Sequence, residues 1–398
     1  MLNHIRTGGN RKYLELLEGF AARGHRVLVL FNAFLDYIPS YFTKIEIPLR
    51  YGGRFPPASY LFKQYLKKNI ASLKETIRSL QEQYSPPDFL PSEADSWFVD
   101  YIVNFGDTHL NAAVYLKKAL KTKLLYGVRC SDVDRAHILR RHGHMDLRRK
   151  VRSLLYEQLE RSREKKAAKY ANRITFLNNS DKSSFLKRTA YAEAKTAVIH
   201  NHIGPPGCTG EYKDTNNSRG VANIVYTGVL SADKGLFDLL QAAAILKARG
   251  YGELHYYLLG RLEDAEGARR LAQKLGIQDL LSFEGYRNPL PYFKKYDLFV
   301  YPTLYDAFGN VITEALHTGC PVIASAVGGV TEILQYRELL FTLGNPKEIA
   351  GKIEGCIENP GQYQRIRRLC KERAAHFYFD WIERYEQCIQ TGMEWRSA

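Results

Sequence analysis

Two carboxylates eight positions apart, Asp306 and Glu314, bracket the stretch DAFGNVITE, and apolar residues fill most of the interval. The run before them, DLFVYP (297–302), has the make-up of a buried strand, and TLYDAF is the loop leaving its C-terminal end. Residues 309–318 have helical spacing, Gly319 suits the left-handed position after a helix, and Pro321 blocks continuation. In an open parallel sheet, ligands bind at the C-terminal ends of the strands. A helix starting near Gly309 offers free backbone N–H groups and a positive dipole end to an anion such as a diphosphate. Asp306 stands just before that helix, and Glu314 about one and a half turns inside it. A carboxylate can accept two hydrogen bonds from a vicinal diol, so the pair can grip hydroxyls at opposite ends of one ligand. A ribose and a sugar joined by a diphosphate has that form.

The elements that must hold these residues recur along the chain. RKYLELLEGFAARG (11–24) predicts a helix closed by Gly24, followed by a strand, HRVLVLFN (25–32). FVDYIVNFG (98–106) and TKLLYGV (122–128) read as strands around the helical HLNAAVYLKKALK. ANRITFLNN (171–179) and TAVIHN (196–201) follow a charged helix around 148–169. Five more strands, VANIVYTG (221–228), ELHYYLLG (253–260), LLSFEG (280–285), DLFVYP and PVIAS (321–325), have helices between most of them. Such alternation predicts an α/β protein with parallel sheets covered on both faces. A chain of 398 residues exceeds one ordinary core, and IGPPGCTGEYKDTNNSRG (203–220) is a natural linker. Two doubly wound domains are expected, 1–204 and 205–378. Only MLNHI precedes the first strand-to-helix turn, so it is a short first strand or the true start lies upstream.

Composition excludes several classes. No apolar run approaches the roughly 18 residues that span a bilayer, and MLNHIRTGGN has no apolar signal segment. Six Cys without a CxxC pair or zinc spacing fit reduced thiols in a cytoplasmic protein. Residues 1–204 hold 35 Lys and Arg against 19 Asp and Glu, which leaves 22 against 23 of the chain's 57 and 42 for the remainder. The first half therefore carries the whole net charge of +15 and predicts an anionic partner for that half. YLFKQYLKKNIASLKETIRSL (60–80) and residues 135–169 concentrate it and mix it with aliphatic and aromatic residues, a pattern suited to anionic lipid. No nucleic-acid-binding motif accompanies the charge.

DAFGNVITEALHTGCPVIASAVGGVTE resembles the acid-x7-acid signature of retaining, GT-B type glycosyltransferases of the large bacterial and archaeal group known as family 4. The usual form there is Glu-Gly-Phe-Gly, a second Glu eight residues after the first, then Gly-x-Pro-Val and Gly-Gly-x-x-Glu. Asp306 takes the first Glu position and Ala307 replaces Gly; Phe308, Gly309, Glu314, Gly319, Pro321, Gly328, Gly329 and Glu332 match. The resemblance implies that Glu314 holds the nucleotide ribose and Asp306 meets a hydroxyl of the donor sugar. It places the Phe308, Gly309, Asn310 and Val311 backbone beside sugar and phosphate. YTGVLSADKGLFDLLQA (226–242) is similar to the family's Gly-Arg…Lys-Gly segment, with Gly228, Lys234 and Gly235 matching and Val229 where Arg is usual. Arg261, after the strand ending LLG, is a candidate for the missing cation. FEGYRNPLPYFKKYDLFVYPT (283–303) matches the segment bordering the base, with Tyr286 at its loop, and TGGN (7–10) resembles the family's phosphate loop through Gly8 and Gly9. The final helix, FDWIERYEQCIQ (379–390), looks like the segment that returns to the first domain, so 379–398 is expected to pack there.

The first-domain site departs from the family. Where Val-His-Gly is frequent, this chain reads GVRCSDVD (127–134), which puts Arg129 at the His position. Arg stays protonated and cannot serve as a base; it suits a phosphate or an anionic acceptor. His109, in FGDTH at a strand end, is the other candidate for the cleft. DVD (132–134) has the form of a GT-A metal site and HGH (142–144) of a transition-metal pair, but neither has supporting ligands, and no metal is expected. The resemblance implies a GT-B fold and transfer of a hexose, with retention and no cofactor, from a nucleotide-diphosphate sugar. The acceptor is a glycan or lipid-linked hydroxyl in cell-envelope synthesis, reached at the inner face of the membrane. A binding protein derived from such an enzyme, or a GT-B epimerase, fits the same motifs.

Overall fold

The computed structural model describes residues 8–32, 43–47, 58–84, 99–106, 109–143, 146–204, 221–261, 263 and 265–390. MLNHI, Thr7, His144 and the body of the linker (205–220) lie outside the described residues.

The first domain runs α1 (Gly8–Ala22), β1 (Leu28–Asn32), β2 (Thr43–Ile47), α2 (Ala58–Tyr84), β3 (Tyr101–Phe105), α3 (Leu110–Ala119), β4 (Lys123–Val128), α4 (Asp132–His142), α5 (Leu147–Tyr170), β5 (Arg173–Phe176), α6 (Asn179–Thr189) and β6 (Thr196–Val198). β3-β4-β5-β6 form a parallel sheet and β1-β2 a parallel pair. The charged helix expected around 148–169 is α5; α4 ahead of it ends at Gly143, and the Asp146 side chain accepts from the Arg149 N–H to cap α5.

The second domain runs β7 (Asn223–Thr227), α7 (Leu236–Ala248), β8 (His255–Leu259), α8 (Ala265–Lys274), β9 (Leu281–Gly285), α9 (Leu290–Lys295), β10 (Leu298–Tyr301), α10 (Asn310–Thr318), β11 (Val322–Ser325), α11 (Gly328–Leu334), β12 (Leu340–Phe341), α12 (Pro346–Glu358) and α13 (Pro360–Ala375). Its strands are parallel in the order β12-β11-β10-β7-β8-β9. Val225, Leu258, Val300 and Ile323 are fully buried at its centre, as expected for strands covered on both faces. The strand order reverses between β7 and β10, which opens a crevice above their C-terminal ends. Lys234 follows β7 and Asp306 follows β10, so the topology alone sets them across that crevice.

The chain crosses between domains twice, side by side. Gly204 pairs with Tyr378, and the Ile203 N–H donates to the Phe377 carbonyl at 2.7 Å. Beyond the second crossing, α14 (Trp381–Gln390) buries Trp381 and Tyr385 against Leu16, Phe20, Leu125 and Ile199 of the first domain. Among the described residues no helix is long and apolar enough to cross a membrane.

Candidate active site

Lys234 and Asp306 meet at the crevice. The Lys234 ammonium lies 3.1 Å from Asp306 Oδ2 and donates to the Tyr305 carbonyl at 3.0 Å. The same Oδ2 accepts from the Tyr301 hydroxyl at 2.7 Å, while Oδ1 accepts from the Phe308 and Gly309 N–H groups at 3.1 and 2.7 Å. A carboxylate has about four lone-pair sites, and all of them are taken. Burial pushes the Asp306 carboxyl up, but Lys234, the Tyr301 hydroxyl and the Phe308 N–H outweigh it and hold it below the usual carboxylate range.

Backbone contacts fix the two loops. The buried Tyr226 hydroxyl donates to the Val229 and Lys234 carbonyls, both at 3.0 Å. The Leu304 N–H donates to the Asp233 carbonyl at 3.0 Å. Gly235 turns at φ +73°, and a Cβ there would stand 1.7 Å from the Pro302 carbonyl, so only glycine lets the two loops touch. Gly329 in α11 plays the matching part: its Cβ would lie 2.0 Å from the Ala307 carbonyl. Gly228, at the end of β7, donates its N–H to Leu259 of β8 at 3.0 Å.

Gly309 is left-handed at φ +78° and starts α10, as Gly319 at φ +74° ends it. Asn310 and Glu314 are four residues apart and share a helix face. The Asn310 side-chain oxygen accepts from Asn201 of the first domain at 2.7 Å, so this face looks into the cleft; Glu314 is half-buried on it. Phe308 is buried against His200 and Phe377, and Val311 is half-buried.

The first domain closes on this loop through contacts that the sequence did not announce. Glu332 of α11 accepts from the Asn179 N–H at 2.6 Å, the Asn179 side chain at 2.9 Å and the Ser180 N–H at 3.3 Å, with His200 Nε2 3.2 Å away. The Asn178 side chain donates to the Ala307 carbonyl at 2.7 Å. The Tyr305 hydroxyl donates to Asp181 at 2.9 Å and accepts from the Ser131 N–H at 3.1 Å. Arg135 reaches Asp233 at 3.1 Å. Burial, reinforced by Asp134, pushes the Asp181 carboxyl up to about 6, against the hydrogen bonds from Tyr305, Asn178 and Ser131.

Arg129 lies past the end of β4, its guanidinium over the rings of Tyr13 and Phe105 at 4.9 and 5.7 Å. It lines a cavity of about 230 Å³ with Cys130, Asp132, Tyr156, Glu160 and Arg163. Arg163 pairs with Glu160 at 2.5 Å, while Arg129 has no carboxylate partner among the described residues. His109 precedes α3, its ring 4.9 Å from that of Phe62; its Nδ1 is buried with no hydrogen-bond partner among the described residues. Burial brings its pKa down to about 4, so the ring is neutral at physiological pH. Asp132 and Asp134 open α4, where Asp134 is held by Arg188 at 2.8 Å and Asp132 lies 3.8 Å from Arg135. Gly8 and Gly9 are the first residues of α1. Arg261 is exposed and paired with Glu263 at 2.6 Å, though its carbonyl accepts from the Leu230 N–H at 2.9 Å. Tyr286 stands exposed after Gly285. Lys234, Asp306, Phe308, Gly309, Asn310 and Glu314 thus gather around one crevice, and Arg261 and Tyr286 stand exposed at the ends of β8 and β9.

Residues 211–373 match the family model for glycosyl transferases group 1. The capsular polysaccharide biosynthesis glycosyltransferase CapM of Staphylococcus aureus is 29% identical over 177 residues, 43% of this chain and 46% of that protein. An uncharacterized glycosyltransferase of Methanocaldococcus jannaschii is 32% identical over 191 residues, 42% of this chain and 46% of that protein. The chain spans about half the length of these curated relatives. Crystal structures extend the likeness to the whole chain. HepE of Anabaena, solved with UDP and glucose, superposes with a TM-score of 0.68 at 16% identity, covering 97% of this chain and 96% of that one. WaaG, a glycosyltransferase involved in lipopolysaccharide biosynthesis, does so at 0.65 and 17%, covering 96% of each. The chain has the GT-B glycosyltransferase fold, and its second domain carries the glycosyl transferases group 1 match.

Proposed function

We propose that the chain is a retaining hexosyltransferase that moves a sugar from a nucleoside-diphosphate sugar to an acceptor hydroxyl in cell-envelope glycan or glycolipid synthesis, on the cytoplasmic side of the membrane. The observation that carries this reading is the Lys234–Asp306 pair, set at the switch point beside the N-terminal end of α10. CapM and WaaG, named for capsule and lipopolysaccharide synthesis, support the pathway class, and HepE, solved with UDP and glucose, supports a uridine nucleotide.

Lys234 and the N–H groups at the start of α10 take the diphosphate, Glu314 the ribose, and Asp306 a sugar hydroxyl. Four donors fill the lone-pair sites of Asp306, so a sugar hydroxyl that bonds this carboxylate displaces one of them, and Lys234, drawn toward the diphosphate, is the donor that yields. Donor binding and sugar positioning are therefore coupled through one ammonium group. In the transfer step the bond from the anomeric carbon to the diphosphate oxygen breaks and a bond to the acceptor oxygen forms on the same face. The acceptor proton passes to the departing diphosphate oxygen. Lys234 and the helix end stabilise the charge that develops there. Arg129 and its cavity serve an anionic group of the acceptor. His109, neutral near pH 7, accepts or donates a hydrogen bond without adding charge.

The test is transfer from a panel of UDP-, GDP- and ADP-sugars, followed by nucleoside diphosphate release and the anomeric configuration of the product. Release of diphosphate lost in Glu314→Ala, with the donor's anomer kept, is the expected result. An inverted product would overturn retention, and epimerised donor without transfer would overturn the reaction class.

A further inference from the structure

α5 is built inside out. Its buried positions are Glu157, Glu160 and Ala167, held by Arg161 on Glu157 at 2.7 Å, Arg163 on Glu160 at 2.5 Å and Arg140, which also bonds Glu157. Its leucines face out. Leu147, Val151, Leu154, Leu155, Tyr156 and Leu159 are six of the eight large hydrophobic side chains that stand exposed among the described residues, Leu147 at 77% and Leu155 at 70%. Exposed apolar residues scattered singly need no partner, whereas a contiguous patch marks a contact surface. Residues 147, 151, 154, 155 and 159 follow helical spacing and form one stripe about 18 Å long. At 100° per residue the stripe is flanked by Arg148 and Arg152 on one side and by Lys150 and Arg161 on the other. The acids of the same helix point inward or pair with arginines. The other basic helix, α2, instead turns Phe62, Leu66, Leu73 and Ile77 into the first domain's own core.

We propose that the outward face of α5 docks on an anionic lipid bilayer, with the leucine stripe among the acyl chains and the flanking arginines at the headgroups. A second copy of this chain is a poor occupant, because two such faces would set arginines against arginines. The charge fits lipid phosphates instead. The inner face of the same helix supplies Tyr156, Glu160 and Arg163 to the Arg129 cavity. Docking therefore holds that cavity about one helix diameter, roughly 10 Å, from the bilayer, within reach of the polar head of an acceptor presented from the membrane. The acceptor clause rests on the transferase reading above; the docking does not.

The test uses the full chain and sedimentation with phosphatidylcholine vesicles, with and without phosphatidylglycerol. Binding to the anionic vesicles alone, weakened by salt, is expected. Val151→Ser with Leu155→Ser should lower partitioning about tenfold or more, and Arg148→Gln with Arg152→Gln about tenfold. Both variants should keep the wild-type melting temperature and nucleotide response, since all four side chains are exposed. Equal binding to neutral and anionic vesicles, unchanged binding by the serine variant, or a lowered melting temperature would overturn the docking. So would a concentration-dependent dimer that the serine variant dissolves. Vesicle binding by a chain that transfers no sugar would refute only the transferase reading.

Discussion

Lys234→Ala isolates the coupling at the centre of the site. In the wild type the ammonium bonds Asp306 Oδ2 at 3.1 Å, and both side chains are about one quarter exposed, at 23% and 24%. Breaking a fully buried pair costs about 3–5 kcal/mol and an exposed one about 0–1. Asp306 keeps its other three donors, so a stability loss of about 1–2 kcal/mol is expected. The loss for the nucleotide should be larger. Removing one charge-assisted hydrogen bond to a diphosphate is worth about 1.5–3 kcal/mol, or roughly 10- to 150-fold in Kd. The sign of the pH effect follows from the Asp306 carboxyl. Its pKa is held below the ordinary aspartate value of 3.8, with burial opposing and Lys234 the leading favourable cause. Its stabilisation is therefore present above that value and lost as pH falls through the folded pKa. Without Lys234 that stabilisation shrinks, and acid unfolding moves to higher pH. Calorimetric titration of UDP and UDP-sugars into Lys234→Ala, with Val229→Ala as the control, measures the binding term. Equal losses in the two variants, or an unchanged Kd in Lys234→Ala, would show that Lys234 does not hold the diphosphate.

Three further outcomes are expected. Asp306→Glu should lower turnover about tenfold or more, because a side chain one methylene longer cannot keep both N–H bonds at 3.1 and 2.7 Å; steady-state rates equal to or above wild type would contradict the fit. Glu332→Ala should cost about 1–3 kcal/mol and loosen the domain contact, since it strips the acceptor from Asn179, Ser180 and His200; an unchanged melting temperature and an unchanged scattering profile would contradict this. For Asp181, the folded pKa of about 6 lies above the ordinary aspartate value of 3.8, so the native state binds the extra proton. Its contribution is most favourable below about pH 4 and declines by about 3 kcal/mol as pH rises to about 6. Asp181→Asn should flatten stability across that window, and equal slopes for variant and wild type in urea titrations would contradict the assignment.

The second domain was legible because its strands are buried on both faces and read as uninterrupted apolar runs. Both ends of α10 were also legible, from Gly309 near its start and from Gly319 with Pro321 at its end; both glycines are left-handed in the structure. Strand order was not, and it is strand order that brings Lys234 to Asp306. Tyr301 and Tyr305 looked like ordinary strand and loop aromatics; their hydroxyl partners, Asp306 and Asp181, depend on tertiary placement that no local period encodes. Asn178 and Asn201 act across the domain boundary for the same reason. β12, at two residues, carries too short a pattern to read. For the basic helices, the mixture of basic and apolar residues did not reveal which side faces the core. α2 turns its apolar residues inward and α5 turns them outward, burying Glu157 and Glu160 against arginines instead.

The most direct test of the account is donor hydrolysis in the absence of acceptor, followed as nucleoside diphosphate release. At least one UDP-, GDP- or ADP-sugar is expected to be turned over by the wild type, and Glu314→Ala and Lys234→Ala to abolish or sharply reduce the release. Binding of a nucleotide sugar with no release, or release that survives Glu314→Ala unchanged, would contradict it.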